Sequence, residues 1–176
     1  MDATARPQTG TRLDRENPWP GLESYDEAAR EFFSGRAAEA EELQRRIADE
    51  PMTVLFGKSG LGKTSLLKAG VFPRLREKGI LPVLLRLQLR ANTEPLIEQV
   101  RLALFEALRA QEIDHPPLRD GETLWEYLHR NGLEFWTRQN RLVRPVFVFD
   151  QFEELFTLGR LIPAEVAAFR EDLADL

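Results

Sequence analysis

Gly57-Lys58-Ser59-Gly60-Leu61-Gly62-Lys63-Thr64 fits the pattern G-x-x-x-x-G-K-[ST], and each fixed position has a physical task. Glycine at 57, 60 and 62 lets the backbone adopt left-handed angles and come close to a ligand. The amides of such a loop converge into an anion-binding nest, and the helix that follows offers its positive end. Lys63 would place a point charge at the outer phosphates of a nucleotide. Thr64 would offer a hydroxyl to Mg2+, an ion that keeps waters and phosphate oxygens as its other ligands. The candidate phosphate contacts are therefore Gly57, Lys58, Ser59, Gly60, Leu61, Gly62, Lys63, Thr64 and the adjoining Ser65. In its usual setting the loop leaves a buried strand and opens a helix. Met52-Thr53-Val54-Leu55-Phe56 reads as that strand, and Ser65 to Ala69 as the helix, stopped by Gly70 and Pro73.

The rest of the composition narrows the class. A chain of 176 residues with 43% hydrophobic content can bury a sizeable core. A net charge of −5, with no basic stripe, points away from nucleic acid. The absence of cysteine excludes disulfides, thiol catalysis and thiolate metal sites. No segment approaches the roughly 18 apolar residues of a membrane span, and the N-terminus lacks the apolar centre of a signal peptide. The expected location is the cytoplasm. Only four lysines occur, Lys58, Lys63, Lys68 and Lys78, and arginine fills every other basic position. Lysine is thus kept in the loop, where a compact ammonium is required and a planar fork does not substitute.

Along the chain, Met1 to Arg15 is polar and aperiodic and is expected to be disordered. Asn17-Pro18-Trp19-Pro20-Gly21-Leu22 braces a tryptophan between two prolines, with the ring expected to pack on the domain edge. Ser24, with Glu27 three residues on, predicts a capped helix through Phe33, ended by Gly35. A second helix is predicted over Ala37–Asp49, and Pro51 closes it. Ile80–Leu89 reads as a strand whose end alternates, and Glu94–Ala110 as an amphipathic helix carrying Leu96, Ile97, Val100, Leu104 and Leu108. Further helical stretches are predicted over Glu122–Arg130, Leu133–Asn140 and from Ala164 onward. Trp125, Leu128, Phe135 and Trp136 are expected in packing, and His115 and His129, which lack ligand spacing, in structural or surface positions.

Pro145-Val146-Phe147-Val148-Phe149-Asp150 is an apolar run closed by an acid. It predicts a parallel strand buried on both faces, with a carboxylate at its C-terminal end, where open α/β sheets bind ligands. With a phosphate loop upstream, Asp150 is the candidate acid on the magnesium side, and Gln151-Phe152-Glu153-Glu154 follows at once.

These pieces together resemble the STAND ATPases, signal-transduction ATPases with numerous domains, and most of all their bacterial branch. The resemblance rests on Asn17 to Leu22, Phe32-Phe33-Ser34-Gly35-Arg36, Gly57 through Leu75, Leu81-Pro82-Val83 and Phe147 through Phe156. It implies an AAA+-like, three-layer P-loop NTPase fold of the α/β class with a parallel sheet. It also implies an ATP-operated switch: ATP drives assembly and effector activation, and hydrolysis or ADP holds the resting state. On this resemblance Asp150 is the Walker B acid, Glu153 or Glu154 polarises the attacking water, and Arg36 approaches the nucleotide. Lys63 joins the two glutamates in the catalytic set, and Thr64 and Asp150 form the metal set. The partners implied are ATP and ADP, protein partners reached through sensor or effector domains, and further copies of the chain in the ATP state.

Two departures are visible. The family places an acid directly after that arginine, and here Ala37 stands there. The strand that in related ATPases lies between the loop strand and the Asp-bearing strand comes later in sequence, so the fold is expected to be truncated before its later strands. The expected organisation is a tail over 1–15, a helical lead-in over 16–50 and an incomplete P-loop core over 51–176. Competing functions are a GTPase, for which the Asn-Lys-x-Asp element is missing, and a metabolic kinase, for which no arginine-rich lid is identifiable. A nucleotide-binding interaction module without turnover stays open beside the slowly hydrolysing switch.

Overall fold

The computed structural model describes residues 13–21, 23–90 and 93–175. Most of the expected tail, Met1 to Arg12, and Leu22 of the proline-braced segment lie outside the described residues. The chain forms two compact units, 1–74 and 75–176.

In the first unit, the lead-in makes only a 3-10 turn, Arg30–Phe32, rather than the longer helix expected there. No side chain caps this turn, and just ahead of it Asp26, not Ser24, accepts an amide, that of Ala29 (2.9 Å). Helix α1 spans Ala37–Asp49 as predicted, with Leu43 buried. Met52–Phe56 forms no strand. Val54 and Phe56 are 70% and 87% exposed. Apolar, β-branched composition makes a strand only where a neighbour supplies a ladder, and among the described residues none pairs with this segment. Trp19, expected to pack, is likewise exposed (72%).

Gly70 and Pro73 do not stop the helix after the loop. Helix α2, Lys63–Ser65, runs into a π-helical stretch over Leu66–Val71 and then into α3, Phe72–Glu77. The Phe72 amide reaches the Leu67 carbonyl, the wide i→i−5 bond of a π turn. Pro73 follows this π turn directly, and the helix runs through it into α3. Gly70 serves packing: a Cβ there would lie 3.1 Å from both Ala40 Cβ and Phe33 Cε1.

In the second unit, strands β1 (Ile80–Leu85), β2 (Phe135–Trp136) and β3 (Leu142–Phe149) make a mixed sheet of order β1-β3-β2. β1 and β3 are parallel, in register from Ile80↔Arg144 to Leu85↔Phe149. β2 is antiparallel to the start of β3. The sheet is therefore not wholly parallel. Leu133–Asn140, predicted helical, supplies β2 and a turn, because Phe135 and Trp136 find partners in Val143 and Leu142, and Trp136 also bridges to Asp114. Local helical preference yields to that ladder.

β3 donates from Arg144 to Gly79 and from Asp150 to Leu85 (both 2.9 Å), so its even-numbered amides face β1. Pro145 falls on the opposite edge, where its missing N–H breaks no bond to β1. β3 is half-buried rather than buried on both faces. Beyond Val143, that opposite edge has no partner strand among the described residues.

The core of this unit lies against one face of β1. Leu81, Val83 and Leu85 pack with Val100, Leu104 and Leu108 of α4 (Leu96–Ala110). Each fully buried leucine or valine contributes about 1.5–3 kcal/mol. Phe169 of α7 (Pro163–Asp175) joins the same cluster, and Glu165 of α7 caps α4 by accepting the Leu96 amide (3.0 Å). Past β1, the Gln99 carboxamide binds both the N–H and the C=O of Gln88 (2.7 and 3.1 Å), imitating a neighbouring strand. The short helix α5, Leu124–Leu128, begins with a capping box between Thr123 and Glu126. Its Tyr127 is fully buried and donates to the Pro116 carbonyl (2.9 Å), and burial pushes the phenol up to about 12. His115 and His129 are structural: the first lies beside Tyr127 and Phe105, the second stacks on Trp125. Trp125 itself, expected in packing, is 45% exposed.

The Gly70 contact yields a test. Gly70→Val should lower unfolding stability by about 1–3 kcal/mol through overpacking against α1, measured by chemical denaturation. Unchanged stability would show that Ala40 and Phe33 move aside freely.

Candidate functional site

The glycine-rich loop, residues 57–64, belongs to the first unit. Gly60 (φ 82°) and Gly62 (φ 71°) are left-handed, a conformation that bulkier L-residues adopt only under strain. No protein group accepts from the amides of Lys58 to Gly62 among the described residues, so these donors are free for an anion. Gly62 precedes α2, which places the first helical amides, those of Lys63 and Thr64, beside the loop. The Lys63 ammonium folds across the loop and donates to the carbonyls of Gly57 (2.9 Å) and Lys58 (3.2 Å).

Arg36 braces the same loop from the lead-in. It donates through Nη1 to the Leu61 carbonyl (2.9 Å), and that nitrogen would lie 3.5 Å from a Cβ at Gly62. Its Nε donates to Glu39 (2.6 Å), one turn into α1. Glu39, three residues after the arginine, reaches back along the helix to make this pair. Thr64 is half-buried. Ser65 is buried, and its hydroxyl accepts the Tyr25 amide (3.2 Å), while the Tyr25 hydroxyl donates to the Pro18 carbonyl (2.9 Å). Through Tyr25 the proline-braced lead-in is tied to the helix that carries Lys63 and Thr64.

The acidic turn belongs to the second unit. The Asp150 amide extends the β3 ladder onto Leu85, so its carboxylate leaves the sheet at the C-terminal end of the strand. Gln151 follows in the left-handed region (φ 56°), and the chain turns through Phe152 and Glu153 into α6, Glu154–Thr157. Apolar residues anchor this turn from below: Phe149 and Phe152 pack ring against ring at 5.3 Å, Phe149 meets Phe169, and Leu155 is buried. The sequence D-Q-F-E-E-L-F thereby buries Leu155 and half-buries Phe152, while Phe156 stays 62% exposed. The two glutamates differ. Glu154 accepts from Arg86, through Nη2 at 2.5 Å and Nε at 3.3 Å, whereas the exposed Glu153 carboxylate has no partner among the described residues. Hydrogen bonding to Glu154 holds the Arg86 guanidinium above the ordinary arginine range, and the charges of Glu154, Asp150 and Glu153 act in the same direction.

A glycine loop with free amides, a lysine at its helix and an acid at the end of a parallel strand are the parts of a nucleotide-handling protein. The family described as Novel STAND NTPase 1 matches residues 18–176. The chain belongs to this STAND NTPase family. No curated protein and no solved structure matches it. The matched STAND span contains the loop, Arg36 and the acidic turn alike. Among the described residues no helix is long and apolar enough to cross a membrane.

Two residues of this STAND chain were not singled out from sequence. Arg86 reaches Glu154 across 68 positions of chain. The signal for it was a charge closing an apolar strand, as Asp150 does in β3. Glu39 looked like one more exposed helix acid. The left-handed Gln151 gives the test for this part of the fold. Gln151→Gly should leave stability unchanged or raise it by up to about 1 kcal/mol, whereas Gln151→Val should cost about 1–2 kcal/mol, compared by thermal unfolding. Equal stabilities for the two variants would contradict the left-handed turn.

Proposed function

We propose that this STAND NTPase module binds ATP with Mg2+ through its phosphate loop and hydrolyses it slowly, as the switch of a signalling protein. We further infer that its fold is the three-layer P-loop NTPase arrangement. The observation that carries the proposal is the loop itself: left-handed Gly60 and Gly62, amides without protein acceptors, and an ammonium already held over the loop carbonyls. A phosphate chain would exchange those carbonyls for oxygens of full negative charge, a stronger partner for Lys63.

The donor set also fits the metal. Among the described residues no cluster of three His, Cys, Asp or Glu side chains is placed to hold an ion alone. Mg2+ is commonly bound by one or two protein oxygens, with phosphates and water completing the shell, and Thr64 and Asp150 are the residues assigned to it. When bound, the ion neutralises charge on the phosphates. In hydrolysis, the water oxygen forms a bond to the terminal phosphorus and the bond to the bridging oxygen of ADP breaks. The water proton passes to a carboxylate, Glu153 or Glu154, and the products are ADP and inorganic phosphate. Arg36 holds the crest of the loop at Leu61. Adenine is preferred over guanine, the Asn-Lys-x-Asp element being missing from the sequence. The same proposal covers assembly with further copies in the ATP state, coupling to sensor or effector domains, and work in the cytoplasm.

The test is made on the protein expressed from its native reading frame. Lys63→Ala should weaken Mg·ATP binding about tenfold or more by calorimetry, because a charge-assisted contact is lost. Asp150→Asn should remove most of the magnesium dependence of that affinity, and excess GTP should compete poorly with labelled ATP. Equal ATP affinity in wild type and Lys63→Ala would overturn the assignment of the loop. ATP that binds but never turns over would favour the interaction module.

A further inference from the structure

Glu153 and Glu154 are adjacent acids on the same turn, and the structure treats them unequally. Arg86 directly follows Leu85, the last residue of β1, and the Leu85 carbonyl accepts the Asp150 amide. Arg86 and Asp150 therefore leave the parallel pair at the same end. From there the guanidinium fork spans both oxygens of Glu154, Nη2 to Oε1 and Nε to Oε2. The Glu154 side chain is 27% exposed, and no comparable partner holds Glu153 among the described residues. A carboxylate that takes a proton from water needs a free lone pair directed at that water. Both oxygens of Glu154 are committed to a cation that fixes their direction.

We propose that Arg86 is a positioning residue for hydrolysis: it clamps Glu154, fixes the start of α6 and leaves Glu153 as the carboxylate that accepts the proton of the attacking water. This rests on the ATPase reading given above. It divides the labour between two acids that adjacency alone leaves equivalent. Glu153 acts on the water, and Glu154 anchors the turn that presents it.

The experiment compares wild type with Glu153→Gln, Glu154→Gln, Arg86→Ala, Arg86→Lys and the double variant Arg86→Ala with Glu154→Gln, in the protein expressed from its native reading frame. Three quantities are read: Mg·ATP affinity, the single-turnover hydrolysis rate, and the thermal midpoint without nucleotide. Glu153→Gln should keep its ATP affinity within about twofold and slow hydrolysis by about 100-fold or more, the contribution of a general base. Glu154→Gln and Arg86→Ala should each slow hydrolysis by less than about tenfold at unchanged affinity, since they loosen the turn and leave the base in place. Their double variant should be no slower than the worse single one, and the midpoint should fall no further, because both substitutions break one pair. Arg86→Lys, which keeps the charge and loses the fork, should fall between wild type and Arg86→Ala.

Hydrolysis lost in Glu154→Gln and kept in Glu153→Gln would overturn the inference and leave the ATPase reading standing. So would additive losses in the double variant, or an Arg86→Ala that lowers affinity and rate together. Wild type that binds no ATP, or binds it without turnover, would sink the ATPase reading and the inference with it.

Discussion

The hydrogen bond from the Asp150 amide to the Leu85 carbonyl closes the parallel pair of β1 and β3, and the acidic turn depends on where that pair ends. Because the register runs without a slip from Ile80↔Arg144 to Leu85↔Phe149, the two strands finish level. The residue that follows each strand then leaves the sheet beside the other: a cation from β1, an anion from β3. The same register fixes the side chains behind them. A shift by one residue would turn Leu81, Val83 and Leu85 away from α4 and put Ile80, Pro82 and Leu84 in their place. The register delivers the charges.

The phosphate loop solves a different problem. Peptide planes that gather N–H groups toward one point turn C=O groups outward, and those carbonyls need partners. Here cations supply them: Lys63 on Gly57 and Lys58, Arg36 on Leu61. The loop is held by its oxygens while its nitrogens stay free. Arg36 is in turn held by Glu39, so the brace is stiffened from α1 rather than left as a lone flexible side chain. Ser65 adds a tie from the helix that follows, by accepting the Tyr25 amide.

What was legible in the sequence was what a contiguous stretch determines. The loop, the apolar run ending in Asp150, the bounds of α1 and the leucine and valine stripe of α4 all depend on neighbours within a few residues. What was not legible depends on partners far along the chain. Met52–Phe56 has the composition of a strand and, among the described residues, no ladder to join. Leu133–Asn140 has helical spacing, and Leu142 and Val143 claim its aromatics for β2. Gly70 and Pro73 look like punctuation, yet the helix runs through both by way of a π turn, and the glycine makes room for Ala40. In the site, Arg86 and Glu39 escaped notice because a charged residue on an exposed position carries no sign of what it will touch.

On a continuous helix Glu153 and Glu154 would stand three and four residues after Asp150, both on its face, and helical spacing would not separate them. The chain is not a continuous helix there. Gln151 is left-handed, so the helical phase begins anew after Asp150, and adjacent residues then diverge by about 100°. Phe152 and Leu155, sunk into the core, set the rotation of the turn, and Arg86 holds Glu154 at one side of it. The difference between neighbouring acids thus comes from the residue that follows another strand, placed there by the register of the sheet.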